Sequence, residues 1–272
     1  MKTVKPVIMG ILNLTEDSFS DGGKYLDPQR ALEHARQMIS DGATMLDLGA
    51  ESTRPGARPT DEATELARII PITKVLRAEY PDLPLSIDTR KSPVAVAAIE
   101  AGADIINDIS ALRYDPQMAE LLSGNPDITV ILMHMQGEPE NMQNNPHYDD
   151  LGKDLLDFFS ERIAYCNSKG ISKIILDPGI GFGKHLSHNL SILRNLDALS
   201  RFELPILLGA SRKRFIDAVN PSAPDQRLGG SLAAVMAAIS SGVSIVRVHD
   251  VKASYQFIET YSAIYNEAQW IS

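Results

Sequence analysis

The amino-acid sequence predicts a single-domain α/β protein, a (β/α)8 TIM barrel that spans residues 1–272 with long loops after strands one and two. Eight short apolar segments recur along the chain, and most of them end on a polar residue. Helix-like segments alternate with them, and no shift in composition marks a linker. Eight βα units in 272 residues are typical of a closed parallel barrel. The active-site groups of such barrels lie on the loops that follow the strands.

The eight strand candidates are apolar runs of the kind found in parallel strands that are buried on both faces. They cover residues 8–12, 44–46, 85–87, 105–106, 130–133, 174–176, 206–208 and 245–248. The sixth run lies in the segment KIILDPGIGFGK, where the apolar residues stop at Asp177 and a Pro-Gly turn signal follows. This pattern predicts a carboxylate at the carboxyl end of a buried strand.

Eight helix candidates separate and follow the strands. They cover residues 28–40, 61–80, 92–101, 115–122, 149–169, 189–199, 227–241 and 253–268. Pro28 suits the first turn of its helix, where a backbone N–H is not needed. A glycine follows four of the helices, at positions 42, 102, 170 and 242. We expect each of these glycines to form a left-handed cap.

Composition and charge exclude several classes of protein. The formal net charge of −9 argues against a general binder of nucleic acid or of membrane surfaces. The single cysteine, Cys166, excludes an internal disulfide, and its helical setting predicts a structural role. No apolar run approaches the roughly 20 residues of a membrane span. We therefore expect a soluble cytoplasmic protein.

Two connections are longer than a strand-to-helix turn requires, at residues 14–27 and 50–60. Long polar or glycine-bearing loops at the mouth of a barrel are often lids or substrate clamps, although a surface loop has the same composition. The candidate lid residues of the first loop are Asp17, Ser18, Phe19 and Asp21.

Three polar residues follow strands three, four and six, so a barrel brings them to one pocket. They are Asp88, Asn107 and Asp177. Two carboxylates can form a general acid and base pair. They can equally accept hydrogen bonds from a ligand with several N–H donors, and Asn107 offers both a donor and an acceptor. A capping role remains open for any one of them.

A second group follows strands seven and eight, where barrels often hold phosphate. It contains Ser211, Arg212, Lys213, Arg247 and His249. Alternation along strand eight places Arg247 and His249 on the same side. Arginine grips phosphate oxygens with a bidentate fork, and lysine acts as a point charge. The group predicts a cationic patch for an anionic substrate, with solvated surface ion pairs as the alternative.

Two further residues have candidate roles. Asn13 ends strand one and can offer Mg²⁺ a neutral oxygen, because this ion takes waters and substrate phosphates rather than a full protein cage. Structural hydrogen bonding is the alternative for Asn13. Lys213 is also a candidate Schiff-base nucleophile, since Arg212 and Arg214 beside it are expected to lower its pKa.

The glycine-rich segment at residues 179–184 resembles a phosphate loop, but it lacks the four-residue spacer before Gly-Lys. His185 stands where a serine or threonine would hold Mg²⁺. His185 and His188 have no third metal ligand nearby in the sequence, so we interpret both as solvated.

At these residues the chain resembles the dihydropteroate synthase family of pterin-binding barrels. The matching segments follow all eight strands in the expected order, so the resemblance covers nearly the whole chain. They are MGILNLTEDSFSDGG (residues 9–23), DLGAESTRPGA (47–57), SIDT (86–89), INDI (106–109), LMHMQG (132–137), LDPGIGFGK (176–184), SRK (211–213) and RVHD (247–250).

The resemblance implies that p-aminobenzoate is joined to 6-hydroxymethyl-7,8-dihydropterin diphosphate, giving 7,8-dihydropteroate and diphosphate in folate synthesis. An electron-rich pterin ring can support positive charge on its exocyclic carbon, so we expect an SN1-like step. It implies Mg²⁺, with Asn13 as its protein ligand, and a homodimer. The implied catalytic residues are Asp88, Asp177, Lys213 and Arg247. The implied substrate-binding residues are Thr53, Arg54, Pro55, Asp88, Asn107, Met133, Asp177, Gly209, Ser211, Lys213, Arg247 and His249.

Two residues depart from the family pattern. Glu16 replaces the usual proline of the first loop, and Arg90 replaces a small residue and is expected to add charge at the pocket or to face solvent. Glu16 and the first loop are also similar to those of sulfonamide-insensitive relatives. The second loop, however, keeps the ordinary Ser-Thr-Arg-Pro-Gly form, and on this ground we predict sensitivity to sulfonamides. Three rival functions remain: a methyltetrahydrofolate-dependent methyltransferase, a non-catalytic pterin- or folate-binding protein, and a Schiff-base aldolase. The SRK and RVH segments argue against the methyltransferase, which needs no diphosphate clamp.

Overall fold

The computed structural model describes residues 5–15, 27–51 and 59–265. Its eight strands are β1 (Val7–Asn13), β2 (Met45–Gly49), β3 (Leu85–Asp88), β4 (Ile105–Asp108), β5 (Thr129–Met133), β6 (Ile174–Asp177), β7 (Leu207–Leu208) and β8 (Ile245–Val248). Each strand overlaps one predicted run. Asn13, Asp88 and Asp177 are the last residues of their strands, which places their side chains at the predicted edge.

All the strand pairs are parallel, in the order β6-β5-β4-β3-β2-β1-β8-β7. The two ends of this order meet at one parallel bridge between Leu176 and Ile206. The Leu176 N–H donates to the Pro205 carbonyl at 2.9 Å beside that bridge. The sheet is therefore a closed barrel, and the prediction of a (β/α)8 fold is confirmed.

Helices surround the barrel. They are α1 (Pro28–Ser40), α2 (Glu62–Glu79), α3 (Ser92–Glu100), α4 (Pro116–Ser123), α5 (Leu151–Ser168), α6 (Leu186–Arg194), α7 (Arg214–Val219), α8 (Leu228–Ser240) and α9 (Val251–Tyr265). The four predicted glycine caps are confirmed, because Gly42, Gly102, Gly170 and Gly242 all have positive φ. Among the described residues, no helix has the length and apolar character needed to cross a membrane.

One helix prediction was wrong, and one helix was not predicted. The predicted helix at residues 189–199 is split at Asn195, which separates α6 from a 3-10 helix at Leu196–Phe202. The Asn195 side chain donates to the Ser191 carbonyl at 2.8 Å and so competes for the acceptors of the last helical turn. The helix α7 was not predicted, because six residues are too few for hydrophobic periodicity to show.

The strands bury apolar side chains on both faces, and the inner face is divided into two layers. The lower layer is a cluster of seven residues: Met9, Met45, Ile105, Ile131, Ile175, Leu207 and Ile245. Side chains alternate along a strand with a period of two, so the next inward positions form a layer nearer the carboxyl ends. That upper layer consists of Ile11, Asp47, Ser86, Asn107, Met133, Asp177, Gly209 and Arg247. The lower, apolar layer closes the barrel from below, and the upper layer, in which most side chains are polar, forms the floor of a pocket.

Candidate active site at the carboxyl end of the barrel

Arg247 is the central cation of the pocket floor. Its Nε donates to an Asp47 carboxylate oxygen at 2.6 Å, and its Nη2 lies 3.1 Å from Asp88. The Arg247 side chain is 18% exposed, while Asp47 is fully buried. Arg247 therefore joins β8 to β2 and β3 and keeps a small part of its side chain exposed.

The sequence analysis assigned no role to Asp47, which the structure places at the centre of this network. The Ser86 hydroxyl donates to Asp47 at 2.5 Å, and the Asn107 amide donates to it at 3.3 Å. Strand two was predicted to stop at Asp47, but it extends to Gly49. The available signal was the position of Asp47 two residues after the apolar Met45, since that spacing puts both side chains inside the barrel.

Asp177, Lys213 and Gly209 lie together on the opposite side of the floor. One Asp177 oxygen accepts from the Gly179 N–H at 2.7 Å. Lys213 donates to the Ile180 carbonyl. A Cβ atom on Gly209 would lie 3.7 Å from the other Asp177 oxygen and 3.9 Å from the Lys213 Nζ. The glycine therefore keeps open the space between the carboxylate and the ammonium group.

The surroundings shift two of these groups toward neutrality. Burial, reinforced by the neighbouring Asp47, raises the pKa of Asp88 to about 8, although Arg247 opposes the shift. Burial and then Arg247 lower the pKa of Lys213 to about 8, although Asp177 opposes the shift. The predicted fall in the pKa of Lys213 is confirmed, but the predicted cause was wrong.

Arg212 and Arg214 were predicted to lower the pKa of Lys213, but neither is among the causes of its shift. The Arg212 guanidinium binds Asp250, with one contact at 2.9 Å and one at 2.5 Å. Arg214 is exposed at the first position of α7. The two side chains flank Lys213 along the chain, but the turn into α7 directs their charges elsewhere.

His249 and Ser211 meet at the edge of the same pocket. The His249 Nδ1 and the Ser211 hydroxyl oxygen are 3.1 Å apart, and the His249 N–H donates to that hydroxyl at 3.2 Å. Burial and then Arg247 lower the pKa of His249 to about 3, so the ring is neutral. The predicted cationic patch thus has fewer free charges than expected, because His249 is neutral and Arg247 is paired with two carboxylates.

Met133 lies beside Asp177 in the β5–β6 register. It packs in a separate apolar cluster with Ile109, Met135, Met142 and Phe182. The Phe182 ring centroid is 4.6 Å from the Lys213 Nζ. This cluster forms a buried apolar wall beside Asp177 and Lys213.

Arg90 fits neither of its predicted environments. Its side chain is 6% exposed and contacts Glu51 at 3.2 Å and Glu138 at 2.8 Å. The guanidinium also lies 4.1 Å from the centroid of the Tyr114 ring. Both expectations were wrong because carboxylates from two neighbouring connections surround the charge.

Three remaining predictions concern side chains near α5 and α6. Cys166 is fully buried, as a structural role requires. The His185 N–H donates to the His188 Nδ1 at 3.2 Å, so the two histidines cap α6. His185 is exposed, but His188 is half-buried against Tyr148, with ring centroids 4.9 Å apart. The interpretation as a solvated side chain is therefore confirmed for His185 and wrong for His188.

Several predicted residues lie outside the described residues. These are Glu16, Asp17, Ser18, Phe19 and Asp21 of the first loop, and Thr53, Arg54 and Pro55 of the second. The roles assigned to them stay predictions. The structure brings together the other predicted site residues, Asp88, Asn107, Met133, Asp177, Gly209, Ser211, Lys213, Arg247 and His249, at one end of the barrel, with Asn13 at the end of β1.

The fold and the pocket define a (β/α)8 barrel with a polar, charged pocket at the carboxyl ends of its strands. Residues 9–249 match the family described as pterin binding enzyme, and the chain belongs to that family. The resemblance seen in the sequence is thereby confirmed.

Dihydropteroate synthases of several organisms match this chain over nearly its full length. The dihydropteroate synthase of Escherichia coli strain K12 is 44% identical over 260 residues, which are 95% of this chain and 91% of the relative. The Yersinia pestis dihydropteroate synthase in a sulfonamide drug complex has a TM-score of 0.89 at 44% identity, over 96% of this chain and 95% of that chain. The Burkholderia cenocepacia dihydropteroate synthase complexed with 7,8-dihydropteroate has a TM-score of 0.87 at 39% identity, over 98% and 94% of the two chains.

Proposed function

We propose that this protein is a dihydropteroate synthase, which joins p-aminobenzoate to 6-hydroxymethyl-7,8-dihydropterin diphosphate and releases diphosphate. The observation that carries the proposal is the convergence of Asp88, Asn107, Asp177 and Lys213 on one pocket around Arg247. The relatives from E. coli, Y. pestis and B. cenocepacia are named for this activity, and the last of them holds 7,8-dihydropteroate.

The polar groups of the pocket complement a dihydropterin, whose flat edge carries several N–H donors and a carbonyl oxygen. Asp88 and Asp177 accept from those donors, and Lys213 donates to the carbonyl. The Asn107 amide N–H already donates to Asp47, which leaves its oxygen as an acceptor for the ligand. The carboxylates thus act as ligand acceptors rather than as a general acid and base pair.

The reaction follows from this placement. The C–O bond to diphosphate breaks, both electrons leave with diphosphate, and the electron-rich pterin supports the positive charge on its exocyclic carbon. The aromatic amine then forms the C–N bond, and its extra proton passes to water. The amine is neutral at pH 7, so its lone pair needs no strong base. Catalysis consists mainly of positioning and charge stabilisation by the pocket.

Mg²⁺ would be bound mainly by oxygens of the diphosphate leaving group and of water, with few protein ligands. Asn13 is half-buried at the end of β1, and its side chain has no hydrogen-bond partner among the described residues. Those residues also contain no cluster of three or more His, Cys, Asp and Glu that could hold a metal. One amide oxygen suits an ion whose other ligands are water and diphosphate. Asn13 would hold such an ion, which supplies charge neutralisation on the departing diphosphate.

The proposal is tested by measuring diphosphate release from the pterin diphosphate with Mg²⁺, in the presence and absence of p-aminobenzoate. We expect release in step with dihydropteroate formation, and slow release without the amine if ionisation precedes attack. A sulfonamide should raise the apparent KM for p-aminobenzoate and leave kcat unchanged. Pterin binding without release in either condition would contradict the proposal and favour the binding protein or the methyltransferase. Borohydride trapping of Lys213 with a carbonyl substrate would favour the aldolase.

The homodimer is part of the proposal, and α8 supports it. None of the 13 residues of α8 is charged, and Met236 is 47% exposed beside the exposed Ala233. An uncharged helix face of this kind suits a second copy of the chain. Light scattering should give twice the 29.7 kDa mass of one chain. Met236→Glu should reduce that mass, whereas Val75→Glu on α2 should not.

A further inference from the structure

Lys184 is a buried lysine that the proposed reaction does not use. Lys184 is 3% exposed, and burial lowers its pKa well below the ordinary value of a lysine, although Asp177 opposes the shift. Its Nζ lies 2.9 Å from the His134 Nδ1, and it donates to the His134 carbonyl at 3.1 Å and to the Phe182 carbonyl at 3.0 Å. These three acceptors satisfy every N–H that the Lys184 amine carries. Such complete pairing of a buried amine indicates a specific task, because an unpaired one is costly.

His134 is held in place by its own contacts and therefore fixes the position of the Lys184 Nζ. It is 5% exposed, and its ring packs edge-on against Phe158 with centroids 4.8 Å apart. Burial and then Lys184 lower the pKa of His134 to about 2, so the ring is neutral and its Nδ1 can accept. The His134 N–H donates to the Asp177 carbonyl at 2.9 Å. The anchor of Lys184 is thus held to the end of β6.

The turn at residues 179–183 rests directly on this anchor. A Cβ atom on Gly179 would lie 2.0 Å from the His134 carbonyl oxygen, and one on Gly183 would lie 2.3 Å from the Gln136 carbonyl oxygen. Both glycines have positive φ, at 67° and 59°. The glycines therefore serve close backbone packing, and Lys184 ties the turn to the same carbonyl that the turn touches.

The other side of the turn touches the candidate active site. The Ile180 carbonyl accepts from Lys213, and the Phe182 ring lies 4.6 Å from the same ammonium group. The Gly179 N–H donates to Asp177 at 2.7 Å. One short segment therefore carries the contacts that orient both Asp177 and Lys213.

We propose that Lys184 is a positioning residue for pterin binding: it clamps the turn at residues 179–183 onto His134 and thereby holds Lys213 and Asp177 in place. This inference rests on the proposed function for the identity of the ligand. It predicts a specific loss of pterin affinity, because Lys184 acts through Lys213 and is closed off from the ligand by the turn.

The test is a double-mutant cycle of Lys184→Met and Lys213→Ala, read as the Kd for the dihydropterin by calorimetry. Lys184→Met alone should raise this Kd by at least about 10-fold and change the KM for p-aminobenzoate by less than about 2-fold. In the Lys213→Ala background the same substitution should change the Kd by less than about 3-fold, since coupled residues are not additive. Additive effects, or an unchanged Kd in Lys184→Met, would overturn the inference.

A second pair of variants covers the case in which Lys184→Met does not fold. His134→Asn keeps an acceptor for Lys184 and should stay near the wild-type Kd, whereas His134→Leu should weaken pterin binding. Equal Kd values for the two variants would overturn the inference. Thr73→Val is the matched control, because Thr73 is buried in α2 and donates only to the Ile69 carbonyl at 2.9 Å. Thr73→Val should lower the free energy of unfolding and leave the Kd for the dihydropterin unchanged.

The readout separates this inference from the proposed function. The Kd for the dihydropterin does not depend on turnover, so a wild-type protein that binds pterin without releasing diphosphate would contradict the proposed function only. A wild-type protein with full activity, together with an unaffected Lys184→Met variant, would contradict the positioning role only.

Discussion

At the scale of a single residue, the buried carboxylate of Asp47 fixes the charge and orientation of Arg247. We expect Asp47→Asn to lower kcat/KM for the pterin diphosphate by roughly 100-fold, because Arg247 loses its nearest counter-charge and its fixed orientation. Steady-state kinetics measure the effect. Asp108→Asn is the matched control, since Asp108 is equally buried but accepts only from the turn at Ser110 and Leu112. Equal losses in both variants would show that Asp47 has only a structural role.

The titration of Lys213 gives a second prediction at this scale. Its pKa is lowered to about 8, so the ammonium carries its proton below that pH and loses it above. The contribution of Lys213 to pterin affinity, read as the difference between the wild type and Lys213→Met, should therefore fall as the pH rises past about 8. Asp88 raises the pKa of Lys213, so Asp88→Asn should move this fall to lower pH. Calorimetry across the pH range measures it, and an identical pH dependence in Lys213→Met would refute the assignment.

At the scale of the element, the turn between β6 and α6 has a shape that only glycine permits. Gly183→Ala should lower the free energy of unfolding by roughly 2–4 kcal/mol, since the new Cβ would meet the Gln136 carbonyl. Gly170→Ala is the control: Gly170 also has positive φ, but a Cβ there would meet nothing within 4 Å. It should cost only about 1 kcal/mol. Denaturant unfolding compares the two, and similar losses would mean that φ alone matters.

At the scale of the whole molecule, the barrel is closed by a short pairing between β6 and the start of the β7 segment. β1 and β2 share five registered residue pairs, whereas β6 is joined by one bridge, from Leu176, to Ile206 just before β7. Fewer ladder hydrogen bonds lower the cost of local opening. We therefore expect backbone amides of β7 to exchange with deuterium faster than those of β1 and β2, as measured by mass spectrometry. Equal protection would show that the surrounding helices, rather than the ladder, hold the barrel closed.

The pattern of the sequence was sufficient for the barrel and for part of its pocket. Apolar runs with polar endings located all eight strands, because a strand buried on both faces needs a continuous apolar segment. The same endings identified Asp88, Asn107 and Asp177, since parallel strands bring their carboxyl ends to one side. The helices were less well predicted where they are short, as in α7, or interrupted, as at Asn195.

The sequence by itself determined the fold, the family and the end of the barrel where the ligand binds, because periodicity and motif spacing are local properties of the chain. Only the tertiary structure decided how charges are paired. It joined Arg247 to Asp47 across 200 residues and enclosed Arg90 between two carboxylates. It also buried Lys184 against His134. The physical reason is that the charge and pKa of a side chain depend on burial and on neighbours distant in sequence, which no local pattern encodes.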